Sequence, residues 1–205
     1  MIAQEKTLCD HFYLGGGTAL AEFYLHHRYS EDLDFFCEHE FDPTGISVAV
    51  KKLSKKTGVI KVEYQQSFNR NLFFLHTDKE IIKTEFTYYP FPRIDDSVMR
   101  DGLSIDSLID IAVNKIFTIY QKPRARDFID LYCILQQETT WKMDTLIKKA
   151  QIKFDWHVDP LQLATQFNGA ERLLDYPRMI RKLEPTTWQR FFKQEATKFE
   201  KKILK

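Results

Sequence analysis

The stretch "FYLGGGTALAEFYLHHRYSEDLDFF", residues 12–36, places three consecutive glycines shortly before two aspartates that are one residue apart. The whole chain of 205 residues has only seven glycines, so this grouping is unusual for its composition. The apolar run before the glycines predicts a strand, and the apolar residues after them recur at helical spacing. The run "LDFFCE" predicts a second strand. We therefore expect strand, glycine turn, helix and strand in that order.

The glycine turn suits an anion. Glycine lets the backbone turn sharply and lets a bulky ligand approach it. A helix that begins near Thr18 would direct its free N–H groups and positive dipole end back at Gly16 and Gly17. The sequence is neither the dinucleotide fingerprint GxGxxG nor the P-loop. A phosphate site is thus one interpretation of the turn, and a tight turn without a ligand is the alternative.

Asp32 and Asp34 form a D-x-D pair in the second predicted strand. Residues i and i+2 of a strand project from the same face, so the two carboxylates would lie side by side. Two carboxylates at this distance repel each other unless a cation lies between them. Mg²⁺ prefers carboxylate and phosphate oxygens. Next to a glycine turn, the pair predicts a site for a metal and a triphosphate; two surface acids are the alternative.

The rest of the chain predicts a mixed α/β part followed by an all-α part. Residues 2–11 predict a short helix, and "DPTGISVAVKKLSKK" predicts another, with Asp42 as its cap and Pro43 in its first turn. The runs "VIKVEYQQ", "NLFFLHT" and "IIKTEFTYY" predict three strands. From Ile105 the pattern is helical, with breaks near "KPRARD" and "DYPR". The C-terminal run "FFKQEATKFEKKILK" predicts an amphipathic basic helix that is solvated, with a binding surface as the alternative.

Composition limits the class of protein. With 43% hydrophobic and 29% charged residues the chain can build a core, as one large domain or one and a half. The net charge of +1 gives no global attraction to nucleic acid, so such binding would need a local patch. Cys9, Cys37 and Cys133 fit no disulfide or metal pattern and predict reduced, mostly buried thiols in a cytoplasmic protein. No secretory signal or membrane span is expected.

Three motifs together resemble a known family. These are "GGTAL" at 16–20, "HRYSEDLDFF" at 27–36 and "RARDFIDLY" at 124–132. They are similar to motifs of the AbiEii/AbiGii-type nucleotidyltransferases, members of the polymerase-β-like superfamily that are often the toxins of bacterial toxin–antitoxin pairs. The resemblance implies an α/β (α+β) fold. We expect a nucleotidyltransferase core at 1–100, with a small mixed sheet and flanking helices, and a helical region at 101–205.

The resemblance also implies an activity. An acceptor hydroxyl would attack the α-phosphate of an NTP and release pyrophosphate, with Mg²⁺ or Mn²⁺ as the metal. The acceptor would be RNA, such as the 3′ end of tRNA, or a protein, and an antitoxin would be the partner. In this scheme Asp32 and Asp34 hold the metals, while Gly16, Gly17 and Thr18 hold the β- and γ-phosphates. The alternative is a nucleotide-binding or partner-binding module of the same fold without transfer activity.

Two further residues are candidates on the same basis. The superfamily commonly takes a third metal carboxylate from a later strand, and Glu85 fits that position; the alternative is an exposed residue paired with Lys83. Lys115 lies on an otherwise apolar helix, where an amine needs a partner, and the family carries a lysine in a similar helix that contacts the nucleotide phosphates. The alternative for Lys115 is a surface lysine with its amine in water.

The remaining candidates flank these motifs. Asp127 is the first choice for an active-site acid that positions Lys115 or the acceptor, and an N-cap role is its alternative. Asp130 is the second choice, unless it pairs with an arginine of the loop before it. Arg126 in that loop can hold phosphate. Arg28 and Ser30 are expected to belong to the nucleotide-binding site next to the D-x-D pair, where they support it. No histidine pair has the spacing of a zinc site.

Overall fold

The computed structural model describes residues 2–203 and has an α/β fold with a seven-stranded mixed sheet. The strands are β1 (Tyr13–Gly15), β2 (Asp32–Cys37), β3 (Lys61–Ser67), β4 (Arg70–His76), β5 (Ile81–Tyr88), β6 (Val98–Arg100) and β7 (Leu103–Ile105). The α-helices are α1 (Lys6–Cys9), α2 (Gly16–Leu20), α3 (Pro43–Ser54), α4 (Leu108–Gln121), α5 (Ala125–Gln137), α6 (Met143–Phe154), α7 (Pro160–Asn168) and α8 (Pro185–Ile203). A π-helix at Ala21–Leu25 continues α2.

The sheet places β2 at its centre. The strand order is β3-β4-β5-β2-β1-β7-β6. The pairs β2–β5 and β1–β7 are parallel, and the other neighbours are antiparallel. The two strands of the opening sequence, β1 and β2, are therefore direct neighbours, and β5 lies on the other side of β2.

The two faces of the sheet differ because side chains alternate along each strand. Phe35 and Phe86 are buried on one face, and their rings stack with a centroid distance of 5.2 Å. The rings of Phe12 and Phe73 pack edge-on against Phe86. This aromatic cluster forms the apolar side, as the seventeen phenylalanines of the chain suggest. The opposite face carries the side chains of the D-x-D pair.

The described chain forms two compact units. The first contains residues 2–19 and 30–107 and includes the sheet; the second contains residues 20–29 and 108–203 and is helical. The core of the helical unit is aromatic: Phe192 of α8 contacts Phe128 of α5 and Phe167 of α7, with ring centroids 4.7 and 5.1 Å apart. One face of α8 is buried in this way and the other is exposed, as its amphipathic pattern predicts, and residues 204–205 of the predicted helix lie outside the described residues.

Most predicted elements of the first 90 residues are confirmed. β1, β2 and the three later strands lie where the patterns place them, and α3 begins at Pro43. An Oδ1 of Asp42 accepts a hydrogen bond from the Thr44 N–H at 2.9 Å, as expected of an N-cap. The mixed sheet with flanking helices, followed by a helical C-terminal part, agrees with the predicted fold class.

Two local predictions are wrong. Residues 2–11 form a short 3₁₀ turn at Ile2–Gln4 and the single turn α1, and not one helix. The β6–β7 hairpin was not predicted, and Ile105 ends β7 where the helical pattern was expected to begin. The division after residue 100 stays a prediction about domains.

Cys9, Cys37 and Cys133 are free thiols, as predicted, although only Cys37 is fully buried. None of the helices in residues 2–203 combines the length and the hydropathy of a membrane span.

Candidate active site

The glycine turn joins β1 to α2, and the side chains of β2 lie against it. Gly16 has φ +65°, in the left-handed region that favours glycine. A Cβ on Gly16 would lie 2.7 Å from Oδ2 of Asp34, and a Cβ on Gly15 would lie 2.8 Å from the ring of Phe36. Any other residue at Gly16 would thus have to displace the Asp34 carboxylate. The fold brings the backbone of the turn and this carboxylate together.

Asp32 and Asp34 occupy neighbouring positions on one face of β2. In the parallel register with β5, Asp32 lies opposite Lys83 and Asp34 lies opposite Glu85. On the other side, Asp34 lies opposite Gly15 of β1. Nζ of Lys83 donates to Oδ2 of Asp32 at 3.2 Å. Both aspartates are half-buried, so their carboxylates remain within reach of a ligand.

Thr18 connects the helix to the start of β2. Its buried hydroxyl donates to the backbone carbonyl of Asp32. This bond fixes the position of the D-x-D pair relative to the turn, a role that the sequence did not indicate. Contact between Thr18 and a nucleotide stays a prediction, as it does for the half-buried Gly17 and Ser30.

Glu85 is buried and bound by an arginine. Nε and Nη2 of Arg70 donate to its two carboxylate oxygens, each at 2.6 Å, and the Thr87 hydroxyl donates at 2.8 Å. Burial alone would raise the pKa of Glu85, but the hydrogen bonds from Arg70 and Thr87 outweigh it and hold the pKa below its ordinary value. Nζ of Lys83 is 4.0 Å away. Glu85 is therefore not an exposed residue, although Lys83 lies within ion-pair distance of it, and a metal-ligand role for Glu85 stays a prediction.

The donor set of the D-x-D pair fits a hard divalent cation. Asp32 and Asp34 offer carboxylate oxygens, which Mg²⁺ and Mn²⁺ prefer. The oxygen of Asp34 lies in the space that a Cβ at Gly16 would fill, next to backbone that a phosphate could also approach. Among the described residues, no group of three or more His, Cys, Asp or Glu side chains is arranged as metal ligands. The two aspartates would therefore share the ion with substrate and water oxygens.

A second cluster of charged residues lies in the helical unit, around Lys115 of α4. Its Nζ is 2.7 Å from an oxygen of Asp127 and 2.6 Å from an oxygen of Asp130, both on α5. All three side chains are buried. The alternative of a surface lysine is thus wrong, and so is the N-cap role of Asp127, because α5 begins at Ala125. Nε of Arg124 donates to Asp127 at 2.8 Å.

Asp130 joins residues that are about 100 positions apart in sequence. Nε and Nη2 of Arg28 donate to its two oxygens at 2.6 and 2.8 Å, and Nε2 of His27 lies 2.8 Å from Oδ1. Asp130 therefore pairs with Arg28 and not with an arginine of its own loop, whose Arg124 binds Asp127. Arg126 is half-buried at the start of α5.

The charges of this cluster support one another. Burial would lower the pKa of Lys115, but Asp130 and Asp127 outweigh it and raise the pKa above its ordinary value. Burial would raise the pKa of Asp130, but Lys115, Arg28 and His27 outweigh it and lower the pKa. Lys115 and Asp130 are thus both ionised at neutral pH.

Sequence reasoning missed Arg70 and His27. Arg70 follows the β3–β4 turn and meets Glu85 only through the register of two strands, so no local pattern indicates it. His27 had a signal, since it precedes Arg28 in one of the three motifs. His26 takes a positive φ of +48° and ends the helix, and the next two residues then reach Asp130.

Comparison with known proteins agrees with the fold and the motifs. The chain matches the family described as nucleotidyl transferase AbiEii toxin, type IV TA system, over residues 2–202. It is 32% identical to an uncharacterized protein of Aquifex aeolicus over 158 residues, which are 74% of this chain and 71% of that protein.

Solved structures show the same fold. A candidate nucleotidyltransferase from H. pylori superposes with a TM-score of 0.62 at 21% identity, covering 98% of this chain and 91% of that one. MenT4, a nucleotidyltransferase toxin from Mycobacterium tuberculosis H37Rv, superposes with a TM-score of 0.51 at 12% identity, covering 97% and 82%. At these identities the similarity concerns the fold alone.

Proposed function

Because the chain belongs to the AbiEii nucleotidyltransferase toxin family, we propose that it transfers a nucleoside monophosphate from an NTP to an acceptor hydroxyl with the help of Mg²⁺. The observation that carries the proposal is the contact of the Asp34 carboxylate with the backbone at Gly16, beside Asp32 on the same strand face. Phosphate-binding backbone and metal-binding carboxylates then serve one substrate.

The glycine turn and β2 have separate tasks in this proposal. The backbone N–H groups at Gly16 and Gly17 hold the β- and γ-phosphates, and the Thr18 hydroxyl keeps the turn and β2 in register. Asp32 and Asp34 hold the divalent ion. When bound, the ion neutralises charge on the phosphates and orients them for in-line attack. Mn²⁺ has the same preference for oxygen ligands and is the alternative ion.

The reaction is a substitution at phosphorus. The acceptor oxygen forms a bond to the α-phosphorus, the bond from that phosphorus to the β-phosphate oxygen breaks, and pyrophosphate and the hydroxyl proton are released. Acceptors are RNA, such as the 3′ end of tRNA, or a protein. As in its family, the chain acts as a toxin, and we propose a cognate antitoxin as its partner.

In the proposed mechanism, the helical unit contributes the buried cation of Lys115. Lys115 is kept protonated by Asp127 and Asp130, and an ammonium group complements a triphosphate. We assign Lys115 and Asp127 to the catalytic set, Arg126 to phosphate binding, and Arg28 to the support of Asp130.

The first experiment measures transfer directly. Purified protein is incubated with Mg²⁺, each NTP labelled at the α-phosphate, and either total tRNA or a protein extract. We expect label on one acceptor class with the wild type. Asp34→Asn should reduce transfer roughly 100-fold or more, since a loss of about 2.7 kcal/mol of transition-state stabilisation suffices for that.

The control is Glu31→Gln, which removes an exposed carboxylate next to the D-x-D pair and should leave transfer unchanged. Full activity of Asp34→Asn would overturn the proposal. If no labelled product forms while an NTP raises the melting temperature, the chain is a nucleotide-binding module without transfer activity. In that case the ligand stabilises the native state by about 2.7 kcal/mol at 100 times its Kd.

A further inference from the structure

A two-residue turn of a β-hairpin needs a positive φ, which glycine, asparagine or aspartate usually supplies, but the tip of the β3–β4 hairpin has Phe68 at this position. Phe68 is 96% exposed and has φ +49°. The left-handed region of φ is unfavourable for a bulky residue, and glycine or asparagine is the usual residue in that conformation. Because the phenyl ring is exposed, it adds no hydrophobic stabilisation to the fold. A strained and exposed aromatic residue is a reason to look for a ligand.

The hairpin tip is attached to the sheet, so the position of Phe68 is defined. Ser67 and Arg70 pair across the turn, and the carbonyl of Asn69 accepts a hydrogen bond from the Tyr88 N–H at 3.0 Å. Tyr88 ends β5, the strand that carries Glu85. The ring of Phe68 therefore projects from a fixed turn.

Arg70 stands two residues after Phe68 and presents an oriented cation. Glu85, whose side chain is only 8% exposed, holds the guanidinium through two of its five N–H donors. The Arg70 side chain is 52% exposed, so the group is accessible. Glu85 lies opposite Asp34 in the sheet. The guanidinium is thus fixed next to the D-x-D pair and open to a second anion.

Strand order separates this cation from the glycine turn. Arg70 belongs to β4 and the glycine turn follows β1, and the order β4-β5-β2-β1 puts the aspartates of β2 between them. A triphosphate on the glycine turn leaves the β4 side for a different ligand. An exposed aromatic ring two residues before an oriented guanidinium suits a nucleotide chain, in which bases stack and phosphates accept hydrogen bonds.

We propose that the β3–β4 hairpin binds a single-stranded nucleic acid acceptor, with Phe68 stacked on a base and Arg70 bound to a phosphate. The assignment of the bound strand as the acceptor rests on the proposed function. Glu85 is then a positioning residue for Arg70. The site adds a local cation and an aromatic ring to a chain whose net charge is only +1.

The test uses the full chain and a fluorescein-labelled single-stranded RNA of about 12 nucleotides, within the site sizes of such proteins. Binding is measured by anisotropy at several salt concentrations. Phe68→Gly removes the ring and relieves the positive φ, so we expect an unchanged or higher melting temperature together with roughly 10-fold weaker RNA binding. Arg70→Gln should lower the slope of log K against log salt by about 1.

The matched controls are Val48→Ala and Lys55→Gln, which remove an exposed apolar side chain and an exposed cation at α3 and should not change RNA binding. Stabilisation by NTP should be equal in the wild type and Phe68→Gly, because the triphosphate binds at the glycine turn. A wild type that does not bind RNA, or hairpin variants that bind RNA as the wild type does, would overturn this inference.

The transfer assay separates the two proposals. If the wild type transfers label but RNA binding does not depend on the hairpin, this inference fails and the proposed function stands. If RNA binding depends on Phe68 and Arg70 but no labelled NMP is transferred from any NTP, the hairpin site stands and the proposed function fails. Transfer to protein alone would also overturn the assignment of a nucleic acid acceptor.

Discussion

Gly16 affects both the backbone conformation of the turn and the position of the Asp34 carboxylate. Two independent features require glycine there: the positive φ, and the Asp34 oxygen that would lie 2.7 Å from a Cβ. The first costs another residue about 1–2 kcal/mol. The second forces the carboxylate out of its position. Glycine at this position therefore permits the conformation of the turn and leaves room for the Asp34 carboxylate.

We predict that Gly16→Ala lowers the free energy of unfolding by about 1–3 kcal/mol and lowers transfer more strongly than this loss explains. Urea unfolding and the transfer assay check the two effects. Gly45→Ala is the control: its Cβ meets nothing within 4 Å in α3, and alanine favours a helix by about 0.5–1 kcal/mol. A Gly16→Ala variant as stable and active as the wild type would contradict our account of the turn.

At the scale of single helices and strands, the sequence was sufficient to predict an element where local residues mark its first and last positions. The Asp-Pro pair predicts the start of α3 because the aspartate caps the helix and proline suits its first turn. The β6–β7 hairpin has strands of three residues with few buried side chains, and β7 exists because it pairs with β1. No periodicity within residues 98–105 could have revealed that pairing.

The same Asp-Pro signature begins α7, and it allows a test. Oδ1 of Asp159 accepts a hydrogen bond from the Gln162 N–H at 2.9 Å, and Pro160 is the first helical residue. Asp159→Ala should lower the free energy of unfolding by about 1 kcal/mol, whereas Asp159→Asn should keep most of the stability because asparagine caps equally well. Thermal and urea unfolding measure the difference. Equal losses in the two variants would show that the cap is not the cause.

At the scale of the whole molecule, the two units are interleaved in sequence. The chain passes between them after Ala19, Tyr29 and Ser107. Within the helical unit, residues 20–29 supply His27 and Arg28 to Asp130, and the N–H of Tyr29 binds the carbonyl of Arg178. Because the chain passes between the units three times, no single boundary in the sequence separates them.

We predict that Asp130→Asn lowers the free energy of unfolding by about 3 kcal/mol or more at pH 7, because Arg28 and Lys115 stay buried without a full counter-charge. The pKa of Asp130 is lowered by folding. Its stabilising effect is therefore complete above the ordinary pKa of about 4 and declines as the pH falls towards the lowered value. Urea unfolding at pH 7 and pH 3 should show a smaller difference at pH 3.

The control for this prediction is Gln137→Ala, an exposed position near the end of α5, which should change the unfolding free energy little at either pH. A pH-independent difference between the wild type and Asp130→Asn would mean that the loss comes from packing and not from charge.

The sequence by itself determined the strand, glycine turn, helix and D-x-D strand, since these follow from glycine's backbone freedom and from the alternation of side chains in a strand. It also determined the family motifs. The tertiary structure alone decided the partners of the charges. Arg70 reaches Glu85 through the register of β4 and β5, and Lys115 reaches two aspartates through the packing of α4 and α5. The partner of a charged side chain depends on how strands and helices pack. The spacing of residues along the sequence does not give the distances between these elements.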